Sequence, residues 1–301
     1  MPSPAAYAKK WARFNFDPAH ERPNLERYSR GEKFDYGLTS VPERFPYGQS
    51  EACFALRRIA SELTQKSHVA ALSGARDWLA MWNQAVSYST LALALDFAWH
   101  EHAAREFRDG KRRQALKMMS LRDAGFLVGA QLSLGHLAAA AVTTERCRAA
   151  LGAHYFLDGD EHMPRRAQYL VLQLVTDWRG ERFPWPSVAL DQPVYASLRD
   201  MWRSTDAAAL AGPLLAACDR HVSESRPSDG ARYFDCEALE ANYFPFEIHT
   251  VLRLRETAGL ANVALEHPLL ATELGPLPAA VAPWRDALLD GIAQAAGVAI
   301  A

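Results

Sequence analysis

At 301 residues the chain is long enough for one large domain or two small ones, and for a full hydrophobic core. Its 49% hydrophobic and 23% charged residues exclude a disordered or collagen-like chain. With 33 basic against 35 acidic residues the net charge is −2, which excludes a single-sign field strong enough to draw nucleic acid or anionic lipid to the whole molecule.

In chain order, a short helix is predicted near Ala5 to Phe14. An irregular aromatic-rich segment follows, pinned by Phe16, Tyr28, Phe34, Tyr36, Phe45 and Tyr47, so that residues 1–48 pack on a helical domain covering 49–301. From Ser50 the 3.6-residue period takes over, with Cys53, Leu56, Ile59, Ala60 and Leu63 on one stripe of a helix ending near Gly74. The next helix, Ala75 to Gly110, carries too many apolar residues for one stripe and is predicted to be central. Ser120 and Asp123 form an N-cap pair for a helix to Leu134. Gly135 then separates it from Leu137 to Leu151, whose alanines would allow close approach in a helical hairpin.

Pro164 reads as the first-turn residue of a helix to Trp178. The proline-rich stretch 180–193 is the longest loop and a possible sub-boundary. Helices follow at Tyr195 to Arg203 and Ala207 to Val222. After the exposed turn SESRPSDG, Asp235 opens a further helical region that Pro245 restarts and Gly259 stops. Trp284 to Ala296 is the last helix. No run alternates apolar and polar residues and no hairpin turn joins β-rich segments. The prediction is an all-α fold of about ten helices, a bundle of antiparallel helical hairpins.

Four widely spaced cysteines, Cys53, Cys147, Cys218 and Cys236, lack any CxxC spacing and read as buried thiols in a reducing compartment. His100 and His102 lie about 200° apart on a helix and cannot share an ion. HExxH, the paired Glu-x-x-His of di-iron bundles, Gly-x-Ser-x-Gly, P-loop and dinucleotide fingerprints are all absent. The expectation is therefore no metal, no cofactor and no catalytic residue. The tract Phe126 to Val142, broken by Gln131, Ser133 and His136, falls short of the ~18–20 apolar residues of a membrane span. MPSPAAYAKKWARF has no apolar signal core, so no membrane contact and a cytoplasmic location are expected.

The acidic run Asp158, Asp160, Glu161 before Pro164 reads as a solvated turn or a docking patch for a basic partner. Arg105, Arg108, Lys111, Arg112, Arg113 and Lys117 form a basic inter-helix cluster with one aromatic, Phe107, too few for single-strand stacking; direct nucleic-acid binding is not expected. His249, Arg253 and Glu256, at i, i+4 and i+7, read as a polar solvent face, with His249 as a general-base candidate should a second acid or nucleophile adjoin it.

From Tyr243 the sequence reads YFPFEIHTVLRLRETAGL, then after a short connection EHPLLATEL ending at Leu274. This resembles the C-terminal signature of helical immunity proteins from bacterial polymorphic-toxin and type VI secretion systems, notably those paired with the PoNe class of nuclease effectors. The matching residues are Tyr243, Phe244, Phe246, Glu247, Gly259, His267, Pro268, Glu273 and Leu274. Leu269, Leu270 and Ala271 depart from the aromatics and proline of that pattern, and the match covers about a tenth of the chain. The resemblance implies a cytoplasmic protein that binds a cognate secreted toxin domain, a nuclease, and occludes its active site or groove. Such a protein needs no cofactor. Carboxylates complementary to a cationic groove are then the expected contacts, with Asp158, Asp160, Glu161, Glu237 and Glu240 as candidates. A helical enzyme using His249 on a small ligand and a helical-hairpin adaptor are the alternatives.

Overall fold

Residues 3–11, 21–32, 47–230 and 232–299 are described by the computed structural model. Among them are eleven α-helices: α1 (Pro4–Trp11), α2 (Glu21–Ser29), α3 (Tyr47–Leu72), α4 (Trp78–Arg108), α5 (Leu121–Ser133), α6 (Leu137–Gly152), α7 (Arg166–Trp178), α8 (Pro193–Met201), α9 (Ala211–Glu224), α10 (Phe246–Thr257) and α11 (Ala287–Ala296). The described residues contain no strand, only an isolated bridge between Met119 and Phe156. The protein is all-α, as the periodicity predicts.

The α3–α4 hairpin closes where Gly74, at φ +74°, lets Ala75 N–H donate back to the Ala70 carbonyl at 2.9 Å, a glycine-terminated helix end. Ser67 Oγ ties the two helices by donating to the Trp78 carbonyl at 2.9 Å. At the next helix start Ser120 Oγ accepts from Asp123 N–H at 3.2 Å, as its sequence position predicts.

Helices α5, α7 and α10 occupy the interior, α10 although it carries Glu247, His249, Arg253 and Arg255 on its buried surface. Every residue of α7 from Ala167 to Thr176 is buried. Helix α5 packs against α4, α6, α7 and α10. Two glycines one turn apart permit that. A Cβ on Gly125 would lie 2.4 Å from Gln168 Cβ on α7, and one on Gly129 2.8 Å from Phe246 Cβ on α10. A second, smaller core joins the two ends of the chain: Leu25 of α2 and Leu289 and Ile292 of α11 pack with Leu56, Leu91 and Leu95 of the α3–α4 hairpin. Each such buried aliphatic contributes roughly 1.5–3 kcal/mol of transfer free energy.

Several local expectations are corrected. The leading helix near Ala5 to Phe14 is present as α1, but the segment after it is not wholly irregular, because it contains α2. Helix α2 buries a single residue, Leu25, and so leaves no apolar period to read. The stretches 12–20 and 33–46, with Phe14, Phe16, Phe34, Tyr36 and Phe45, lie outside the described residues. Pro164 stands before α7 rather than in its first turn, and Arg165 starts the helix from a left-handed conformation. Trp284 precedes α11, which begins after its cap Asp286; that side chain accepts from Leu289 N–H at 2.8 Å. Between 180 and 193 one hydrophobic core continues from Val175 to Tyr195, Leu198 and Trp202, and Trp202 Nε1–H donates to Asp177 at 2.8 Å.

Candidate functional site

The acidic run after α6 divides by environment. Asp158 is folded inward: its carboxylate accepts from Leu121 N–H at 2.6 Å and Arg122 N–H at 3.3 Å, capping α5 from another segment, and from Arg165 Nε at 2.8 Å. The loop must turn beside α5 to do this. Gly159, at φ +92°, supplies the turn, since a Cβ there would lie 2.4 Å from Leu121 Cδ2. Asp160 and Glu161 are exposed. Asp160 Oδ1 accepts from the His162 and Met163 amides, both at 3.0 Å, and the Met163 bond holds its carboxyl below the usual range.

Glu237 is also internal, in contrast to its expected role as a contact. Its Oε1 receives Arg165 Nη2 at 2.8 Å and Arg122 Nη1 at 3.5 Å. Arg165 Nη1 completes its own set by donating to the Phe234 carbonyl at 2.8 Å. These bonds hold Arg165 at φ +49°, a conformation costing a non-glycine residue about 1–2 kcal/mol. Asp235, expected to open a helix, instead accepts from the Arg166 and Ala167 amides at 2.9 and 3.1 Å and caps α7.

Two clefts carry what remains accessible. One of about 500 Å³ lies between the 150–161 and 183–188 segments; it is walled by Leu151, Phe156, Phe183 and Val188, with Asp158, Asp160, Glu161 and Lys117 among its lining. Leu157 and Leu190 are half exposed nearby in the chain. The other, about 160 Å³, has Trp82, Phe126 and Leu127 in its walls and Arg57, Asp123 and Glu240 among its polar lining. Burial and the Asp123 charge raise the Glu240 carboxyl above the usual range.

Of the resemblance residues, Tyr243, Phe244, Phe246, Glu247 and Leu274 lie in the interior of this end of the molecule. Tyr243 packs edge-on to Tyr7 at 5.0 Å, Phe244 to Trp82 at 5.1 Å and Phe246 to Phe126 at 5.4 Å. Glu247 is fully buried against His221, Oε1 to Nδ1 2.8 Å. Gly259, at φ +71°, ends α10. His267 Nδ1 accepts from Leu269 N–H at 3.1 Å, capping the short 3₁₀ turn Pro268–Ala271. Leu274 is buried, whereas Glu273 and Pro268 face solvent.

His249 and Arg253 are not on a solvent face. His249 has no exposed surface, donates from Nε2 to the Gly275 carbonyl at 2.7 Å, and is pushed by burial down to about 4. No nucleophile or second acid is brought to it among its hydrogen-bond partners. Arg253 reaches the Leu132 and Ser133 carbonyls at 3.2 and 2.8 Å, satisfying the open C-terminal end of α5; only Glu256 of that arc is exposed. His100 is buried and His102 half-buried, as opposite faces require. All four cysteines are buried free thiols. The basic residues around Gly110 are largely exposed, beside Phe107 and Met118. No described helix is long and apolar enough to cross a membrane.

Sequence reasoning missed the convergence of His221, Cys236 and Glu247, whose ligand atoms all lie within 4.8 Å of one another. Their separations of 15 and 11 residues match no local motif. Comparison with known protein families, with curated proteins and with solved structures finds no match for this chain.

Proposed function

We propose that the protein is a cytoplasmic immunity protein, which binds a cognate antibacterial toxin domain of nuclease type and occludes its active site or substrate groove. The observation that carries this reading is the Tyr243 to Leu274 segment. Its residues resemble the immunity-protein signature, and their placement is compatible with it: Phe244, Phe246 and Leu274 fill the core, Glu247 is buried, Gly259 ends the helix, and His267 caps the following turn. The buried position of His249 weakens the enzyme alternative.

The contact surface on this reading is the cleft rimmed by Asp160 and Glu161. An apolar cleft of about 500 Å³ accepts an anchoring side chain, and carboxylates at its rim complement a cationic nuclease groove. Glu240 stays a candidate at the edge of the smaller cleft, while Asp158 and Glu237 are already used inside the fold.

The test is co-expression with the toxin encoded beside it. Growth rescue and a co-purifying complex are expected. Failure of the folded protein to bind or protect against any neighbouring toxin overturns the reading.

A further inference from the structure

His221 near the end of α9, Cys236 in the connection that follows, and Glu247 in the first turn of α10 meet in the core, each with no exposed surface. The hydrogen bonds fix how the imidazole is used. Nε2 lies 2.8 Å from the Ala241 carbonyl oxygen, which can only accept, so Nε2 carries a proton. Nδ1 is thereby turned toward Glu247 Oε1 at 2.8 Å and Cys236 Sγ at 3.4 Å. Glu247 Oε2 is buried with no hydrogen-bond partner. A carboxylate oxygen left unsatisfied in a dry core is costly and calls for a partner of positive charge.

We propose that His221, Cys236 and Glu247 form a structural zinc site that fastens α9 and the intervening connection to α10. Imidazole, thiolate and carboxylate are the donor types zinc takes; the three side chains supply three donors, and the second Glu247 oxygen, drawn in at a narrow angle, closes the fourth side of a distorted site. The Nδ1–Sγ separation of 3.4 Å is close to the tetrahedral edge of about 3.5 Å that Zn–N and Zn–S bond lengths require, and the Nδ1–Oε1 pair needs to open by about half an ångström. The bond from Nε2 to Ala241 is the outer-shell contact that orients a metal-binding histidine.

Charge balances as well. The cation replaces two protons, the one shared between His221 and Glu247 and the one on the Cys236 thiol, so the cluster gains no net charge. With all three side chains fully buried, the site supports the fold and performs no chemistry on a substrate. This assignment departs from the sequence expectation of no metal and is independent of the immunity reading.

The test uses the full-length chain purified without a metal-affinity tag. Refolding from denaturant in the presence of zinc, followed by gel filtration, should leave one zinc per chain by elemental analysis and raise the melting temperature above that of protein refolded without metal, and refolding with cobalt should give a thiolate charge-transfer band. Cys236→Ser should abolish the band and most of the zinc. Cys218→Ser, a buried cysteine on α9 outside the cluster, should retain both. Substoichiometric zinc in the wild type with no thermal shift, or zinc retained equally by Cys236→Ser, overturns the proposal. Should Cys236→Ser fail to fold, the wild-type cobalt spectrum decides, and the absence of a thiolate band overturns the site.

Discussion

Asp235 caps a helix that begins 69 residues before it: its Oδ1 accepts from Arg166 N–H at 2.9 Å, and its Oδ2 from the next amide. The residue at the helix start, Arg165, makes no side-chain cap of its own, so this remote carboxylate satisfies two of the open amide donors of α7. Asp235→Ala is expected to lower stability by about 1–2 kcal/mol, the usual range for losing a cap. Urea denaturation followed by circular dichroism measures it; an unchanged midpoint would show that water or another side chain replaces the cap.

Arg165 joins Asp158 and Glu237, each at 2.8 Å, with all three side chains nearly buried. Removing the cation strands two carboxylates in the core. Arg165→Met should therefore cost about 3–5 kcal/mol, far more than Arg203→Met at a half-exposed pair with Asp177. Comparable denaturation midpoints for the two variants would contradict the internal role of this cluster.

Gly125→Ala improves helix propensity by about 1 kcal/mol yet should destabilise the protein. The added methyl would lie 2.4 Å from Gln168 Cβ and 2.9 Å from its Cα, so α7 must shift. A net loss of about 1–3 kcal/mol is expected from overpacking. Gly212→Ala, with open space around its Cβ position, is the control and should be neutral or stabilising.

Acid should weaken the fold. Burial pushes His68 down to about 3, and His136 and His249 to about 4, from an ordinary 6.5. These groups stay neutral in the native state while the unfolded chain takes up protons, so their contribution is full above about pH 6.5 and falls as pH drops toward 4. Asp235, raised to about 6 by burial and by Glu224, acts in the opposite sense between its ordinary value and 6: its contribution is greatest at low pH. Three histidines against two carboxylates, Asp235 and the likewise raised Glu240, should lower the melting temperature between pH 7 and pH 5. His68→Phe, within the Trp82 and Phe244 ring cluster, should flatten that dependence. A melting temperature that rises on acidification would refute the sign.

For toxin binding, reversal of Asp160 and Glu161 to Lys should slow association and flatten its salt dependence while leaving the circular dichroism spectrum intact, since both are exposed. Glu237→Lys should instead unfold or strongly destabilise the protein, because it places a third cation against Arg165 and Arg122. Wild-type association by the Asp160/Glu161 variant would move the interface elsewhere without touching the immunity role.

The helices themselves were legible in the chain. Apolar residues three and four apart, glycines at 74, 135 and 259, and the Ser120 cap act within one or two turns, and local signals of that kind survive in a linear sequence. The interior position of α4 could be read from its excess of apolar residues. The fates of the charged residues could not. Asp158, Asp160 and Glu161 lie within four positions and look alike in sequence, yet one caps α5 from 37 residues away and two face solvent. Arg253 seemed to belong to an exposed arc and instead closes the end of α5, while Asp235 seemed to start a helix and caps another. The alanine run packs α6 on α5 as its composition suggests, whereas the close approach of α7 and α10 to Gly125 and Gly129 has no such local sign. In each case the deciding partner lies far along the chain, and burial fixes a charge's role only after packing has brought a helix end, an opposite charge or a carbonyl within 3 Å of it. The meeting of His221, Cys236 and Glu247 has the same origin: three residues with no common spacing are made neighbours by the way α9 and α10 pack.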